Sequence, residues 1–406
     1  MGARTRQPRV AMVGYTHYRT DPRCRREATL AQRHGWETHF FALSRDGRRH
    51  DVSLEGIQLH ELPLDRYRGG RSAAYLLGYL RFLWLAAGAL LGGHLRHRFD
   101  VVHVNTMPDF MVFAALGPRL LGARVILDMH DDMPALYMEK FRLPATHWKI
   151  RLIRGIEVCS ARVAHAVMAA VHPQAELLAA HGIPRGKITV LLNLPDVAVF
   201  PQRPDPPQPE RAAGLADTAT DFRLIYHGTI ARRHGLDRAV EALAQLAGRW
   251  PGMRLEVIGE GDQLPELRAR VAALHLDGRV RLAEGLRPIE EILPVLREAH
   301  LAVIPTRIEP STDVMLPTKL LEYLSLGVPS LVTPTRSVRY YFGAAHPLYL
   351  EDASPGPLAA KIAWARENYA EVQQLTTQMQ GDFFAHWSWD RHQQVYTDLL
   401  DRLVRR

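Results

Sequence analysis

The chain has 406 residues, which exceeds what one ordinary hydrophobic core supports and suits two domains. A hydrophobic content of 47% argues against a disordered chain, and a net charge of +8 suits anionic partners such as nucleotide phosphates, while no compact basic arm points to nucleic acid. The two cysteines, Cys24 and Cys159, lie far apart and outside any ligand-like cluster, which argues against a disulfide framework and a structural zinc.

The first predicted element is a short strand at Val10–Gly14, an apolar run that ends in glycine. The basic segment Met1–Arg9 precedes it, but the run is too short for a signal-peptide core, so the sequence predicts a cytoplasmic protein. A helix at Asp21–His34 and a strand at Glu37–Leu43 follow in the predicted order.

The next segment, Ala73–Gly93, is apolar apart from Arg81 and is long enough to span a bilayer. A charge near the middle of such a span costs about 2.5–3.5 kcal/mol on insertion scales, which favours a buried helix of the first domain. A helix on the membrane surface is the alternative, because anionic lipid would attract the arginines that flank the segment. These are Arg66, Arg68, Arg71, Arg96 and Arg98.

Strands and helices continue to alternate through the rest of the first half. The pattern predicts helices at Phe110–Leu121 and Trp148–Ala164. Buried strands are predicted at Asp100–Val104, Arg124–Met129, Ala166–Ala170 and Ile188–Leu192. Strands separated by helices indicate a parallel sheet that is covered on both faces.

A proline-rich stretch, Pro201–Pro209, separates this half from a second one with the same alternation. We therefore predict an α/β fold of two doubly wound, Rossmann-like units, with domains at residues 1–195 and 221–380, a linker at 196–220 and a terminal helix at 381–406. In such sheets ligands bind beyond the carboxyl ends of the strands, and two units facing each other form a cleft. The strands predicted in the second half are Phe222–Tyr226, Arg254–Ile258, Val280–Ala283, Leu301–Pro305 and Ser330–Val332.

The loop from His227 to Gly235 follows the first of these strands and precedes a helix. Its Gly228 lets the backbone approach a ligand, and the helix that follows presents free N–H groups. Positive charge from Arg232, Arg233 and His234 suits a diphosphate, although a solvated loop explains the same residues equally well. A second glycine turn, Gly259–Asp262, is a weak signal by itself.

The strongest cluster is Leu316–Pro329, where Pro317 suits the start of a helix and Gly327 its end. Lys319 and Glu322 lie one turn apart and share a helix face. A lysine binds phosphate and a glutamate accepts hydrogen bonds from sugar hydroxyls. The alternative is an ordinary surface ion pair.

The segment Pro317–Pro329 and the loop Gly228–Gly235 resemble the donor site of retaining glycosyltransferases of family GT4, which have the GT-B fold. The resemblance covers nearly the whole chain. Further segments that resemble the family are Asp21–Arg23 with Arg26 and Glu27, Asp128–Asp131, Asn193–Asp196 with Phe200, and Trp387–Trp389, which begins a helix that crosses back towards the N-terminal domain in this fold.

The resemblance implies that Glu322 binds the ribose of a nucleotide-sugar donor. The diphosphate would face Lys319 and the loop with Gly228, Thr229, Arg233 and His234, of which Thr229 and His234 stand at the family's usual Arg and Lys. His130 and Asp131 would lie at the reacting sugar carbon as catalytic residues; the alternative for His130 is a structural loop histidine.

The expected reaction is sugar transfer with retention to a saccharide or lipid-linked acceptor, as in surface polysaccharide assembly at the cytoplasmic membrane face. Because the aspartates Asp131 and Asp132 are adjacent rather than spaced as a metal clamp, neither a metal nor another cofactor is expected. The chain departs from the family at Val314, where a glutamate often precedes Glu322 by eight positions. The sugar contact would then come from Glu309, Asp313 or the backbone near Met315 and Leu316.

Two alternatives to transfer remain at the sequence level. A nucleotide-sugar epimerase or hydrolase uses the same fold, because fold alone does not fix a reaction. A non-catalytic partner subunit that keeps the fold is the other, and Val314 is its best support.

Overall fold

The computed structural model describes residues 6–67, 72–197, 199–200, 215, 221–285 and 287–405, and it divides into two compact units. Unit 1 comprises Met1–Asn193 together with Asp390–Arg406, and unit 2 comprises Leu194–Trp389. The predicted linker at 196–220 lies mostly outside the described residues.

Unit 1 is built on an eight-stranded sheet with the strand order β3-β4-β2-β1-β5-β6-β7-β8. All paired strands are parallel except β3, which is antiparallel to β4. The strands are β1 (Arg9–Gly14), β2 (Glu37–Leu43), β3 (His50–Leu54), β4 (Ile57–Leu62), β5 (Val101–Asn105), β6 (Arg124–Met129), β7 (Ala166–Ala169) and β8 (Ile188–Val190). The buried strands are those that the apolar runs predict.

The hairpin of β3 and β4 is not predicted by the sequence. β3 is mostly exposed at the edge of the sheet, so its sequence lacks the apolar run that marks a buried strand. Its turn depends on Glu55 and Gly56, which both have positive φ, as a two-residue hairpin turn of type I′ requires.

The described helices of unit 1 are α1 (Pro22–Arg33), α2 (Ser72–His97), α3 (Leu116–Leu120), α4 (Met133–Phe141), α5 (Trp148–Val163), α6 (His172–Ala180) and α15 (Trp389–Val404). The helix predicted at Phe110–Leu121 is instead a 3-10 segment, Asp109–Ala115, followed by the short α3. Pro118 accounts for the break, because it has no N–H to donate to the carbonyl of Ala114.

Helix α2 differs from the buried helix that the sequence favours. One side packs in the core through Phe82, Ala86 and Leu90, which have no exposed area, but Trp84 on the other side is 76% exposed. Within the described part of the chain, Ala74–His97 has the length and hydropathy to cross a membrane, by composition alone, and only 17% of its apolar window is buried. The prediction is wrong because a helix that is apolar on every side does not reveal how many sides are covered.

Unit 2 has a five-stranded parallel sheet with the order β11-β10-β9-β12-β13. Its strands are β9 (Phe222–His227), β10 (Met253–Gly259), β11 (Val280–Glu284), β12 (Leu301–Ile304) and β13 (Ser330–Val332). Its described helices are α7 (Leu236–Leu246), α8 (Leu264–Ala273), α9 (Ile289–Glu298), α10 (Pro310–Asp313), α11 (Thr318–Ser325), α12 (Arg336–Phe342), α13 (Pro355–Glu367) and α14 (Tyr369–His386). The sheet confirms the second α/β unit that the sequence predicts.

The C-terminal helix α15 belongs to unit 1, as the resemblance implies. Its Tyr396 is fully buried, with the hydroxyl 2.8 Å from Nδ1 of His103 on β5. The helix that belongs to unit 1 begins later than the predicted residue 381, because α14 continues to His386 within unit 2.

Candidate functional site

The candidate site of unit 2 lies at the carboxyl end of β9, where His227 is followed by Gly228. Gly228 has a φ of +105°, which a residue with a side chain rarely adopts. A Cβ at this position would stand 3.3 Å from Cε of Lys319. The glycine therefore allows both the turn and the close approach of the lysine.

Lys319 is held over β9 by Tyr226. Its ammonium donates to the Tyr226 hydroxyl at 3.0 Å and lies 4.5 Å from the centre of the ring. The same hydroxyl donates to the carbonyl oxygen of Thr229 at 2.8 Å. One tyrosine thus fixes the lysine and the turn of the loop together, and the sequence gives no signal for it.

Glu322 is held by a histidine of the same strand. Its Oε2 is 2.6 Å from Nε2 of His227, and Nδ1 of that ring is 2.7 Å from the hydroxyl of the buried Tyr323. Lys319 and Glu322 each have their own partner on β9, so both side chains of α11 face the strand end. Among the described residues the histidine meets only one oxygen, Oε2, so Oε1 of the half-buried Glu322 can accept from a hydroxyl donor.

The positive charge around the loop comes from Lys319, Arg232 and Arg233 rather than from His234. Burial, together with the charges of Lys319 and Arg233, lowers the pKa of His234 to about 3, so the ring is neutral at pH 7. Gly235 behind it has a φ of +71°, and a Cβ there would stand 2.0 Å from the carbonyl oxygen of Pro305. The end of the loop therefore packs against the backbone just after β12.

The glycine turn at the end of β10 packs against the backbone of the Gly228 loop. A Cβ on Gly259 would stand 1.9 Å from the carbonyl oxygen of Gly228, and one on Gly261 would stand 1.9 Å from that of Ile230. In both cases the atom that a Cβ would meet belongs to the backbone, so the loop itself would have to move. The turn that looks weak in the sequence therefore sets the position of the Gly228 loop.

The residues near position 314 have structural partners. Glu309 caps α10 in a reciprocal capping box with Thr312, and Asp313 accepts a hydrogen bond from the backbone N–H of Arg336 at 2.8 Å. Val314 itself is buried. These contacts hold the loop that leads into Pro317 and α11.

In unit 1, His130 follows β6 and lies beside the buried Asp128, with Nε2 3.5 Å from Oδ2. Arg23 of α1 donates from Nη2 to the other oxygen of Asp128 at 2.7 Å. Burial alone would raise the pKa of Asp128, but the charge of Arg23 holds it below its usual value. Burial, together with the charge of Arg23, lowers the pKa of His130 to about 4, so this ring is neutral at pH 7.

Glu27 completes this buried group, with Oε1 3.2 Å from Nε of Arg23. Burial, together with the charge of Asp128, raises the pKa of Glu27 to about 7. Arg23 and Asp128 are therefore the charged pair, while Glu27 is partly protonated near neutral pH. Nε2 of His103 lies 3.8 Å from Asp128 and 3.9 Å from Glu27.

Among the described residues of unit 1, two groups each bring three potential metal-ligand atoms within 4.8 Å of one another: Glu27, His103 and Asp128, and Glu37, His39 and His97. In each group an arginine already binds a carboxylate. Arg23 binds Asp128 and Glu27, and Nε of Arg9 is 2.6 Å from Oε2 of Glu37. The guanidinium groups supply the positive charge that the carboxylates require.

The two adjacent aspartates have different positions. Asp132 caps α4 by accepting from the N–H of Ala135 at 3.1 Å, whereas Asp131 is exposed and lines a cavity of about 460 Å³ at the ends of β1 and β5. In this cavity the buried amide of Asn105 has no hydrogen-bond partner among the described residues. The aromatic and basic lining residues are Tyr15, Tyr67, Tyr75, Tyr79 and Arg66. The sequence does not predict this cavity, because its lining residues come from distant segments.

Two family descriptions match the chain, one in each unit. The glycosyl transferase 4-like domain matches residues 21–193, and glycosyl transferases group 1 matches residues 221–368. The 2-deoxystreptamine glucosyltransferase of Streptomyces kanamyceticus is 28% identical over 276 residues, which are 64% of this chain and 66% of that protein. The putative colanic acid biosynthesis glycosyltransferase WcaL of Escherichia coli (strain K12) is 26% identical over 153 residues, 37% of this chain and 35% of WcaL. The matched parts are thus less than two thirds of either relative.

The fold is also that of a solved structure, HepE from Anabaena in complex with UDP-glucose. The two superpose with a TM-score of 0.70 over 97% of this chain and 99% of that chain, at 16% sequence identity. The fold is therefore GT-B, the two-unit α/β fold of many glycosyltransferases. Because the two family matches together cover most of its length, the chain belongs to the glycosyltransferases with a GT4-like N-terminal domain and a group 1 C-terminal domain. The family and the fold that the sequence resemblance predicts are confirmed.

Proposed function

We propose that this protein transfers a sugar from a nucleotide-sugar donor to an acceptor. The observation that carries the proposal is the convergence of Gly228, Lys319 and Glu322 at the end of β9. An ammonium group beside a glycine turn suits a diphosphate, and the half-buried carboxylate suits the hydroxyls of a ribose. The chain's own residues thus suit two parts of a nucleoside diphosphate, its diphosphate and its ribose.

Transfer requires stabilisation of the leaving diphosphate, whose negative charge grows as the sugar departs. The proposal assigns this role to Lys319 and to the N–H groups of the Gly228 loop, with Arg233 adding positive charge. His130 is neutral at pH 7, so it would hold a sugar hydroxyl by hydrogen bonding rather than by charge, with Asp131 beside it. We further propose that the anomeric configuration is retained and that no metal is required; NMR coupling constants of the product and activity in a chelator would test these two points.

The cavity of unit 1 is the proposed acceptor site. Tyrosine rings offer apolar faces to the C–H groups of a sugar, and the unpartnered amide of Asn105 offers hydrogen bonds to its hydroxyls. Arg66 lines the same cavity and suits a phosphate. We propose a saccharide carried on a lipid phosphate, at the cytoplasmic face of the membrane, and the similarity to WcaL supports a role in polysaccharide assembly.

Donor binding is the first test. Thermal shifts with UDP-, GDP- and ADP-sugars identify the nucleotide, because a ligand at a hundred times its Kd adds about 2.7 kcal/mol of stability. UDP-glucose comes first, since HepE binds it in its solved complex. We expect Glu322→Ala to lose both the shift and the transfer, while Glu291→Ala, an exposed glutamate on α9, keeps both.

The products separate the proposal from its alternatives. A glycosylated acceptor supports transfer. Free sugar or an epimerised nucleotide without any modified acceptor indicates a hydrolase or an epimerase. Nucleotide binding without turnover across acceptors indicates a partner subunit, and wild-type transfer by Glu322→Ala removes Glu322 from the site.

A further inference from the structure

The outward side of α2 is apolar along nearly its whole length. Its residues recur at the spacing that places them on one side of a helix, and their exposed fractions run from 37 to 76%. Together they form what is called the α2 face: Leu76, Leu77, Leu80, Trp84, Leu91 and Leu95. Soluble monomeric proteins rarely expose so continuous an apolar surface, so the α2 face marks a contact site.

The apolar surface continues onto α3. Gly117 of α3 lies against Leu91, where a Cβ would stand 3.1 Å from Cδ1 of the leucine. Beyond it, Leu120 is 80% exposed, and Leu121 lines a cavity of about 620 Å³ together with Leu95. The contact surface therefore spans two helices of unit 1.

The charges around the α2 face are positive. Helix α2 contains no acidic residue, and Arg81 and Arg96 are exposed on it. Arg98 and Arg124 line the cavity with Leu95 and Leu121. The acidic residue of that cavity, Asp100, is already paired with Arg6 at 2.7 Å. An apolar centre with a basic border complements a membrane that carries anionic phospholipid.

From these observations we propose that the α2 face docks unit 1 on the surface of an anionic lipid bilayer, with α2 lying in the interface. A helix that crosses the bilayer does not fit, because Phe82 and Leu90 on its other side are fully buried in the core of unit 1. Crossing would require α2 to leave that core. Trp84 at the centre of the face has the ring that favours the boundary between water and lipid.

The same helix borders the proposed acceptor cavity. Tyr75 and Tyr79 line that cavity, while Leu76, Leu77 and Leu80 from the same turns belong to the α2 face. Docking thus places the cavity beside the head groups, where a saccharide on a lipid phosphate would be presented. This role for the face rests on the proposed lipid-linked acceptor, whereas binding to lipid does not depend on it.

The test is co-sedimentation of the full-length protein with vesicles of phosphatidylcholine that contain phosphatidylglycerol. We expect the wild type to bind, and Leu77→Gln/Trp84→Gln to bind at least about tenfold more weakly, because two large apolar side chains no longer enter the interface. The control, Leu274→Gln/Tyr340→Gln, changes two exposed apolar residues of unit 2 and should bind like the wild type. Vesicles of phosphatidylcholine alone should bind the wild type less.

Fluorescence adds a position-specific readout. Lipids with brominated acyl chains should quench Trp84, so the wild type should lose more emission than Trp84→Phe, which keeps an apolar ring and should still sediment with the vesicles. Light scattering in the absence of lipid gives the oligomeric state. A dimer that Leu77→Gln/Trp84→Gln breaks would identify a second copy of the chain as the occupant and overturn the proposal.

Equal sedimentation of the wild type and Leu77→Gln/Trp84→Gln, or failure of the wild type to sediment, would also overturn it. An unchanged calorimetric transition of unit 1 shows that the double variant is folded. Transfer to a water-soluble acceptor should be the same in both proteins, so failure of docking can be told apart from failure of the proposed transfer.

Discussion

At the scale of single residues, the proposed diphosphate contact depends on how Lys319 is placed. Its stem passes over Gly228 and its ammonium is fixed by Tyr226, so its charge is placed before any ligand arrives. Placement in advance matters, because a group that is already oriented needs no reorganisation as negative charge develops.

We expect Lys319→Met to lower kcat/KM by about a hundredfold, the usual cost of losing one stabilising group at a leaving oxygen. Methionine keeps the apolar stem over Gly228 and removes only the charge. The matched control is Lys361→Met, which removes a lysine that lies over Trp364 in the same unit. Steady-state kinetics with saturating acceptor measures the effect; equal losses in the two variants would mean that the charge of Lys319 has no special role.

A second prediction at this scale concerns the buried Glu27. Its pKa is raised from 4.5 to about 7, so folding favours its protonated form. The resulting stability is full below about pH 4.5 and is lost as the pH rises through about 7, where the folded protein releases the proton.

Glu27→Gln mimics the protonated form, so it should match the wild type near pH 5 and exceed its stability at pH 8 by roughly 1–3 kcal/mol. Urea unfolding at a series of pH values measures this difference. Glu176→Gln, an exposed glutamate of α6, should follow the wild type throughout. Parallel curves for the wild type and Glu27→Gln would show that Glu27 is ionised in the folded protein.

At the scale of elements, the Gly228 loop depends on close backbone packing against the glycine turn at the end of β10. Gly259→Ala places a methyl group 1.9 Å from the carbonyl oxygen of Gly228. We expect a loss of about 2–4 kcal/mol from overpacking and from the positive φ of 152° at this glycine, together with weaker donor binding as the loop shifts. Urea unfolding and nucleotide titration measure the two effects. The control Gly248→Ala is exposed and meets no atom within 4 Å, so it should leave both unchanged.

How far the sequence predicts each element follows from how its side chains are buried. Strands such as Arg124–Met129 are buried on both faces and appear as apolar runs, whereas β3 is exposed and polar and leaves no such signal. For α2 the composition suggests a buried helix, but its coverage depends on which elements pack against it. In the site, Lys319 and Glu322 stand in one short motif that the sequence shows. The roles of Tyr226 and Asn105 depend on contacts with distant segments, which the sequence does not show.

At the scale of the whole molecule, the chain returns to its first unit at the end. Helix α15 buries Tyr396 and Leu400 in unit 1. The segment that separates this helix from the rest of unit 1, Leu194–Trp389, forms unit 2. Each unit has its own buried core, and domains of this kind often unfold as separate cooperative transitions.

We therefore expect calorimetry to resolve two transitions that respond to different changes. Leu400→Ala empties a fully buried position of unit 1 and should lower one transition by about 2–5 kcal/mol of unfolding free energy, even though it lies near the C-terminus. Leu358→Ala, equally buried in α13 of unit 2, should lower the other, and donor nucleotide should raise that second transition because it binds the folded form of unit 2. If both variants lower the same transition, or if nucleotide raises both equally, the two units unfold together, and α15 then stabilises the donor site as much as the unit in which it packs.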